Sequence, residues 1–383
     1  MPPPEPGGSE SGFDGLRRLS QPKTPVVLIS GIDEVAMMAA SLSVQLGLPG
    51  AVAVRHTIDS ENGMLIRTVS DLTGVLECEQ INLDHACVSC AIREDIVPTL
   101  ERLAATQRWS GIIACLPATA EAVQVCRILG WAPGNAPHIR IAAVLTALEG
   151  STVAEDLLGE DLLDERGLAT GEDDRRGVAE VACAMVEYAD LLCLTEPPRA
   201  EETALIRALA RPKVPLINDL SLLDASILTP GIHRHPATEA WVSETRTADL
   251  PPLAGDAVWR LDLRSDRPFH PERFSDELAT LGSGPRRSRG CFWLPTRPHD
   301  VCAWDGAGGQ ASVGRTRQWE LGQRPFTRIV VTGIDDADDE RTAIEAAFAR
   351  SLLTDQEMAT RGWIWNEGWD GFEAWLGPID RIA

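Results

Sequence analysis

The chain has 383 residues, enough for two domains that each bury a hydrophobic core. Its 57 acidic and 35 basic residues give a formal net charge of −22, so we expect repulsion from naked nucleic acid and from anionic membranes. Apolar runs are too short to span a bilayer, and the start of the chain lacks the apolar core of a signal peptide. The composition therefore predicts a cytoplasmic protein with no membrane partner, preceded by a disordered tail over residues 1–23 that is rich in Pro, Gly, Ser and Glu.

Residues 24–228 alternate short apolar runs with amphipathic segments. Strands are predicted over residues 25–30, 51–55, 65–69, 75–83, 111–116, 139–145, 191–195 and 214–217. Helices are predicted over residues 33–46, 92–106, 119–129, 176–188 and 201–210, with an acidic loop over 149–174. Such alternation is typical of an α/β domain with a P-loop-like, mainly parallel sheet that carries helices on both faces.

Residues 229–254 are rich in Pro, Thr and His and are predicted to be a linker. Residues 255–383 then read as a smaller α+β domain. Its strands are predicted over 257–263, 290–294, 300–304, 310–313 and 327–333, with helices over 271–281 and 340–351. Four tryptophans near the end, which we expect to pack the C-terminus onto this domain, are Trp363, Trp365, Trp369 and Trp375.

A strand that ends in Gly31 and is followed by a helix is where nucleotide-hydrolysing proteins carry a phosphate loop, G-x-x-x-x-G-K-[ST]. Here the positions of the second glycine, the lysine and the hydroxyl are held by Ala36, Met37 and Met38. The carboxylates of Asp33 and Glu34 stand where a polyanion would lie and should repel it. The loop is therefore interpreted as degenerate.

The lysine count supports the same interpretation for the whole chain. Lys23 and Lys213 are the only lysines, and each follows a proline. The chain therefore contains no Gly-Lys pair for a phosphate loop and no N-K-x-D motif for reading guanine. We predict little or no GTPase activity, and we assign no catalytic and no nucleotide-binding residue.

Cys87 and Cys90 form a C-x-x-C turn between a predicted strand and a predicted helix. Two thiolates at this spacing can bind one zinc ion, for which His85 and Cys78 are further candidate ligands. A redox pair and two inert thiols are alternatives that the spacing leaves open. The following helix N-terminus predicts lowered thiol pKa values.

Three smaller sets of residues carry patterns that are less specific. The pair His233 and His235 is interpreted as solvated linker histidines in preference to metal ligands. The basic cluster Arg286, Arg287 and Arg289 is interpreted as a solvated loop. Carboxylates near predicted strand ends, where ligand sites of open sheets collect, are Glu121, Asp190 and Glu196.

Several segments together carry a family resemblance. Residues 87–96 (CVSCAIREDI) resemble the cysteine motif and following helix of the CobW-like GTPases, with Ser89 in place of that motif's middle cysteine. Residues 187–192 are similar to the segment that leads into the guanine-reading motif. Segments that resemble the CobW C-terminal domain are 267–274, 289–298 and 352–358.

With its degenerate loop and retained cysteine turn, the chain resembles the actinobacterial branch of this family, whose members recruit a ribosome hibernation factor. The resemblance implies a zinc-linked stress-response adaptor that acts under zinc limitation, with the hibernation factor and the ribosome as partners. It also implies a zinc metallochaperone as the alternative function. A further hypothesis, independent of the resemblance, is a structural paralogue that dimerises with an intact relative, and a homo-oligomer is also an option. Zinc is the implied cofactor, whereas the departures in the loop put GTP in doubt.

Overall fold

The computed structural model describes residues 22–60, 62–83, 87–171, 173–334, 340–360 and 369–379. Residues 1–21 of the predicted tail, His85, Trp363 and Trp365 lie outside these ranges. The thirteen strands in the described ranges are β1 (Thr24–Ser30), β2 (Ala51–Asp59), β3 (Met64–Asp71), β4 (Gly74–Asn82), β5 (Gly111–Cys115), β6 (Ile139–Leu148), β7 (Leu191–Leu194), β8 (Leu216–Ile217), β9 (Val258–Ser265), β10 (Arg286–Leu294), β11 (Arg297–Ala307), β12 (Gln310–Gln318) and β13 (Thr327–Ile334).

The helices begin with α1 (Glu34–Gly47), which follows the first strand. The helices after it are α2 (Val88–Ala91), a π-helical turn (Ile92–Ile96), α3 (Val97–Ala105), α4 (Ala122–Trp131), α5 (Val153–Leu158), α6 (Val178–Tyr188), α7 (Ala200–Leu209), α8 (His235–Val242), α9 (Pro271–Gly282), α10 (Arg341–Ser351), α11 (Asp355–Thr360) and α12 (Glu373–Leu376). In the described residues no helix is both long and apolar enough to cross a membrane.

The N-terminal sheet has the strand order β4-β3-β2-β5-β1-β6-β7-β8. The strands from β2 to β8 pair in parallel, whereas β3 and β4 add an antiparallel hairpin at one edge. The predicted α/β class with a mainly parallel sheet is confirmed. Because β1 ends at Ser30, the loop around Gly31 lies at the carboxyl edge of this sheet.

Helices cover both faces of the sheet, because successive strand residues point to opposite sides. Val26 and Leu28 of β1 pack in a core under α3 and α4, whereas Val27 and Ile29 pack in a second core under α1. Every residue of β5 is buried, as expected for a strand at the centre of a doubly covered sheet.

The C-terminal domain is an antiparallel sheet in the order β12-β11-β10-β13-β9, as the predicted smaller α+β unit requires. Its core contains stacked aromatic rings, among them Phe269 and Phe274 with centroids 4.5 Å apart. The prediction that the last tryptophans pack on this domain is wrong for Trp369 and Trp375, which are 68% and 58% exposed. Phe372 and Leu376 are buried there instead.

The cluster Arg286, Arg287 and Arg289 lies on β10 and is not the solvated loop that was predicted. Arg287 is buried and donates from Nε and Nη2 to the Glu187 carboxylate at 2.8 and 3.0 Å, and Arg289 also pairs with Glu187. Burial alone would raise the pKa of Glu187, but the two guanidinium groups lower it to about 2. This charge cluster therefore joins α6 of the first domain to the second sheet.

Candidate functional site

The Gly31 loop is short. Three residues connect the end of β1 to the start of α1, and a side chain on Gly31 would collide with its surroundings. A Cβ there would lie 2.7 Å from the Ala147 carbonyl oxygen and 2.8 Å from Met37 Cγ. The chain thus passes over the helix N-terminus without the wide turn that lets backbone N–H groups surround phosphates.

Met37 fills the space beneath this loop. Its side chain is 2% exposed and belongs to the core that includes Ile29, Leu145 and Ala147. A phosphate loop places a lysine at this position so that it can reach phosphate oxygens. Here the same position packs an apolar thioether into the protein interior.

The helix N-terminus is already capped by the protein itself. The Asp33 carboxylate accepts the Ala36 N–H at 2.7 Å, as the sequence predicted for an N-cap. The neighbouring Glu34 accepts from Arg55 at 2.9 Å. A carboxylate therefore holds one of the N–H groups that would otherwise be offered to an anion, and its negative charge opposes phosphate.

The cysteine turn begins the helical segment after β4. Cys87 is the N-cap of α2, and its Sγ accepts the Cys90 N–H at 3.3 Å. Cys87 is partly exposed and Cys90 is buried. The hydrogen bond with the Cys87 thiol raises the pKa of Cys90, so the predicted lowering is wrong for this residue.

Cys78, the other predicted ligand that lies among the described residues, does not join the two thiols. Cys78 is exposed on β4 and alternates with Glu77 and Glu79, which face the helical side of the strand. Arg102 donates to Glu77 at 2.9 and 2.6 Å, and Arg67 donates to Glu79 at 2.6 Å. No group of three His, Cys, Asp or Glu side chains close enough for a metal ion is found in the part of the chain that the structure describes.

A π-helical turn directly follows the cysteine turn, where the sequence predicted a regular helix. Val97 N–H bonds to the Ile92 carbonyl, five residues back. Pro98 lacks an N–H and its ring would clash with the carbonyl four residues earlier, so the proline was the signal for this disturbance. Such turns frequently mark functional segments.

The π-helical turn points Asp95 into the protein. Asp95 accepts from His56 Nε2 at 2.9 Å and pairs with Arg67, while Arg67 also donates to Thr99 at 3.1 Å. Burial opposes ionisation, but the hydrogen bonds and charges of His56 and Arg67 lower the pKa of Asp95. Sequence reasoning missed this cluster, which ties the cysteine helix to β2 and β3.

The remaining candidate residues, a histidine and three carboxylates, lie at opposite edges of the first sheet. His233, predicted to be solvated, is buried with its side chain 5% exposed, and its Nδ1 lies 2.8 Å from Asp190. Asp190 precedes β7 and so stands at the amino edge, whereas Glu121 and Glu196 follow β5 and β7 at the carboxyl edge. Burial raises the pKa of Glu121 despite Arg176 at 3.9 Å.

Both the C-terminal domain and most of the chain's length are similar to known proteins. Residues 258–352 match the family model of the cobalamin synthesis protein cobW C-terminal domain. A zinc chaperone of Mycobacterium tuberculosis is 29% identical over 380 residues, which covers 88% of this chain and 90% of that protein. Zinc-regulated GTPase metalloprotein activator 1 of Dictyostelium discoideum is 20% identical over 409 residues, covering 93% of this chain and 84% of that protein. The Zn(II)-bound YjiA GTPase of E. coli, a solved structure, is 16% identical with a TM-score of 0.35, over 87% of this chain and 100% of that one.

A strand, tight loop and helix at the start of an open parallel sheet, joined to an antiparallel-sheet domain, define a two-domain protein with a P-loop-like first domain. Its second domain matches the cobW C-terminal domain model, and the chain is similar along most of its length to a zinc chaperone.

Proposed function

We propose that this chain is a zinc-handling protein of the CobW family that acts through protein contacts and without turnover of GTP. The observation that carries the proposal is the burial of Met37 beneath the Gly31 loop. A loop closed by Asp33 and filled by an apolar side chain offers a triphosphate no lysine at the usual position, and the neighbouring Arg55 is already paired with Glu34.

Cys87 and Cys90 are the residues that would hold zinc. Their spacing at a helix start suits two corners of a tetrahedral thiolate site, and similar proteins are a zinc chaperone and a zinc-regulated GTPase metalloprotein activator. Since the described residues add no third ligand, the others would come from a partner, from water or from His85. Zinc is then a signal or cargo that is exchanged, because two protein ligands hold it less firmly than four.

Zinc and GTP titrations of pure, reduced protein test this proposal. Zinc should bind the wild type and the Cys78→Ser control equally, and should bind the Cys87→Ser/Cys90→Ser variant at least tenfold more weakly. GTP with magnesium should give no heat of binding with any of the three proteins. Equal zinc affinity in the double variant, or measurable GTP turnover by the wild type, would refute the proposal.

The partner that we propose is a ribosome hibernation factor, which this chain would bring to the ribosome under zinc limitation. The motif resemblance supports this choice. A second support is an apolar stripe along one face of α1, whose members are 41–64% exposed: Val35, Met38, Leu42 and Leu46. An exposed stripe beside the closed loop suits a helix that binds a protein.

A pull-down with purified hibernation factor and ribosomes, with and without zinc, tests the partner. We expect recovery to change with zinc for the wild type, to be insensitive to zinc for Cys87→Ser/Cys90→Ser, and to fall for Leu42→Glu. Trp131→Glu is the matched control, because Trp131 is equally apolar and 82% exposed but lies on α4. No recovery of the purified factor by the wild type, or an equal loss with both glutamate variants, would count against this partner.

A zinc metallochaperone is the second candidate function, favoured by the Mycobacterium tuberculosis zinc chaperone that this chain resembles over most of its length. A metallochaperone releases its bound zinc to a client protein, whereas an adaptor binds its partner without transferring zinc. Transfer of bound zinc to an apo client, faster than spontaneous release and lost with Cys87→Ser/Cys90→Ser, would favour the chaperone. Partner recovery without zinc transfer would favour the adaptor.

A further inference from the structure

A cavity of about 280 Å³ opens at the amino edge of the first sheet, opposite the Gly31 loop. Its walls come from the starts of β1 and β6, the end of α4 and the segment that leads into α8. It shares no residue with the cysteine turn or with the loop. Whatever it binds is therefore independent of the function proposed above.

The polar groups at this cavity are nitrogen donors. Lys23, Arg140, His233 and His235 line it, and among the residues that the structure describes no acidic side chain does. This concentration is unusual in a chain with a net charge of −22 and only two lysines. Arg140 donates to the Thr229 carbonyl, which fixes the guanidinium at the cavity wall. The local charge favours an anion.

His233 is held in position from behind. Its Nδ1 donates to Asp190 Oδ2 at 2.8 Å, and the same oxygen accepts the Val144 N–H at 2.8 Å while Arg211 pairs with the other oxygen. The His233 side chain is 5% exposed, and its Nε2 is buried without a hydrogen-bond partner. A buried ring nitrogen without a partner is costly unless a ligand satisfies it, and the carboxylate behind it fixes the ring orientation.

His235 stands beside it, with ring centroids 6.0 Å apart and its Nδ1 at 3.2 Å from the Tyr188 hydroxyl. Cys126 also lines the cavity, but burial raises the pKa of this thiol to about 12, which keeps it protonated. With His233 and His235 it does not form a metal-holding group among the described residues. The remaining walls are apolar and include Leu129, Ile139 and Ile141.

We propose that this cavity binds a small carboxylate with an apolar body, the head group at His233, His235, Arg140 and Lys23 and the body against Leu129 and Ile141. The nitrogen donors satisfy the carboxylate, and the apolar walls exclude water from the tail. Because Nδ1 of His233 donates to Asp190, its buried Nε2 donates to the head group in the imidazolium form, whose charge the Asp190 carboxylate balances.

Calorimetric titration of the full chain with octanoate tests the proposal, with octylamine and inorganic phosphate as matched probes. Octanoate should bind at least tenfold more tightly than either probe. Lys23→Gln, at an exposed position, should weaken octanoate binding about threefold, and His233→Gln about tenfold. Gly130→Leu should abolish it, because a Cβ on Gly130 already lies 3.2 Å from His235 Nε2 and a longer side chain enters the cavity.

Thermal melts of each variant check that it remains folded. If His233→Gln does not fold, Lys23→Gln still tests the proposal. Equal binding of octanoate and octylamine would overturn the proposal, as would octanoate affinity unchanged by both Lys23→Gln and Gly130→Leu. Phosphate binding as tight as that of octanoate would overturn the assignment of an apolar body.

Discussion

Replacing Met37 by alanine tests whether the phosphate loop is filled by the core. The side chain is 2% exposed and packs against strands β1 and β6, whose backbone is fixed in the centre of the sheet. Because these strands cannot move in to close the gap, we expect the free energy of unfolding to fall by about 3 kcal/mol, near the middle of the usual range for Met→Ala. That corresponds to roughly a hundredfold change in the unfolding equilibrium.

Urea denaturation followed by far-ultraviolet circular dichroism measures this loss. Met38→Ala is the matched control, because Met38 is the next residue of the same helix but is 41% exposed, and we expect a change within about 0.5 kcal/mol. Met37→Lys should destabilise by more than Met37→Ala, since it buries a charge, and should create no GTP binding. Equal losses for Met37→Ala and Met38→Ala, or GTP binding gained by Met37→Lys, would refute the reasoning.

Three further predictions concern thiols, pH and the contact between the domains. Native alkylation near pH 7, read by mass spectrometry, should modify Cys78 and Cys87 first, because burial raises the pKa of Cys115, Cys126, Cys193 and Cys291 to about 12; early modification of any buried thiol would contradict it. Burial lowers the pKa of His56 below 6.5, so the unfolded chain takes up a proton that the folded chain does not, and its contribution to stability is lost as pH falls below 6.5. Chemical denaturation should show that the free energy of unfolding falls less between pH 7 and pH 5 for His56→Gln than for the wild type. An identical fall for both proteins would show that His56 does not titrate this way. Glu187→Ala, which leaves the buried Arg287 with Asp305 as its remaining carboxylate partner, should cost about 3 kcal/mol in the same assay. The control Glu277→Ala, whose partner Arg350 is exposed, should cost about 1 kcal/mol or less, and similar losses for the two variants would be evidence against the buried pair.

The sequence alone predicted much of the fold. Buried strands such as β1 and β5 are short apolar runs, and Asp33 was recognised as an N-cap because a carboxylate directly precedes an apolar-periodic segment. The missing Gly-Lys pair was equally certain, because it follows from a complete count of lysines. These features are local, so the residues that decide them are neighbours along the chain.

The tertiary structure alone decided which polar side chains are buried and with what partners. His233 and Asp190 are 43 positions apart, and Arg287 and Glu187 are 100 apart, yet each pair is buried together. Neither histidines in a Pro-rich segment nor a run of arginines carries a local sign of burial. A charge enters the interior only where a distant partner compensates for its lost hydration, and chain folding determines where that partner lies.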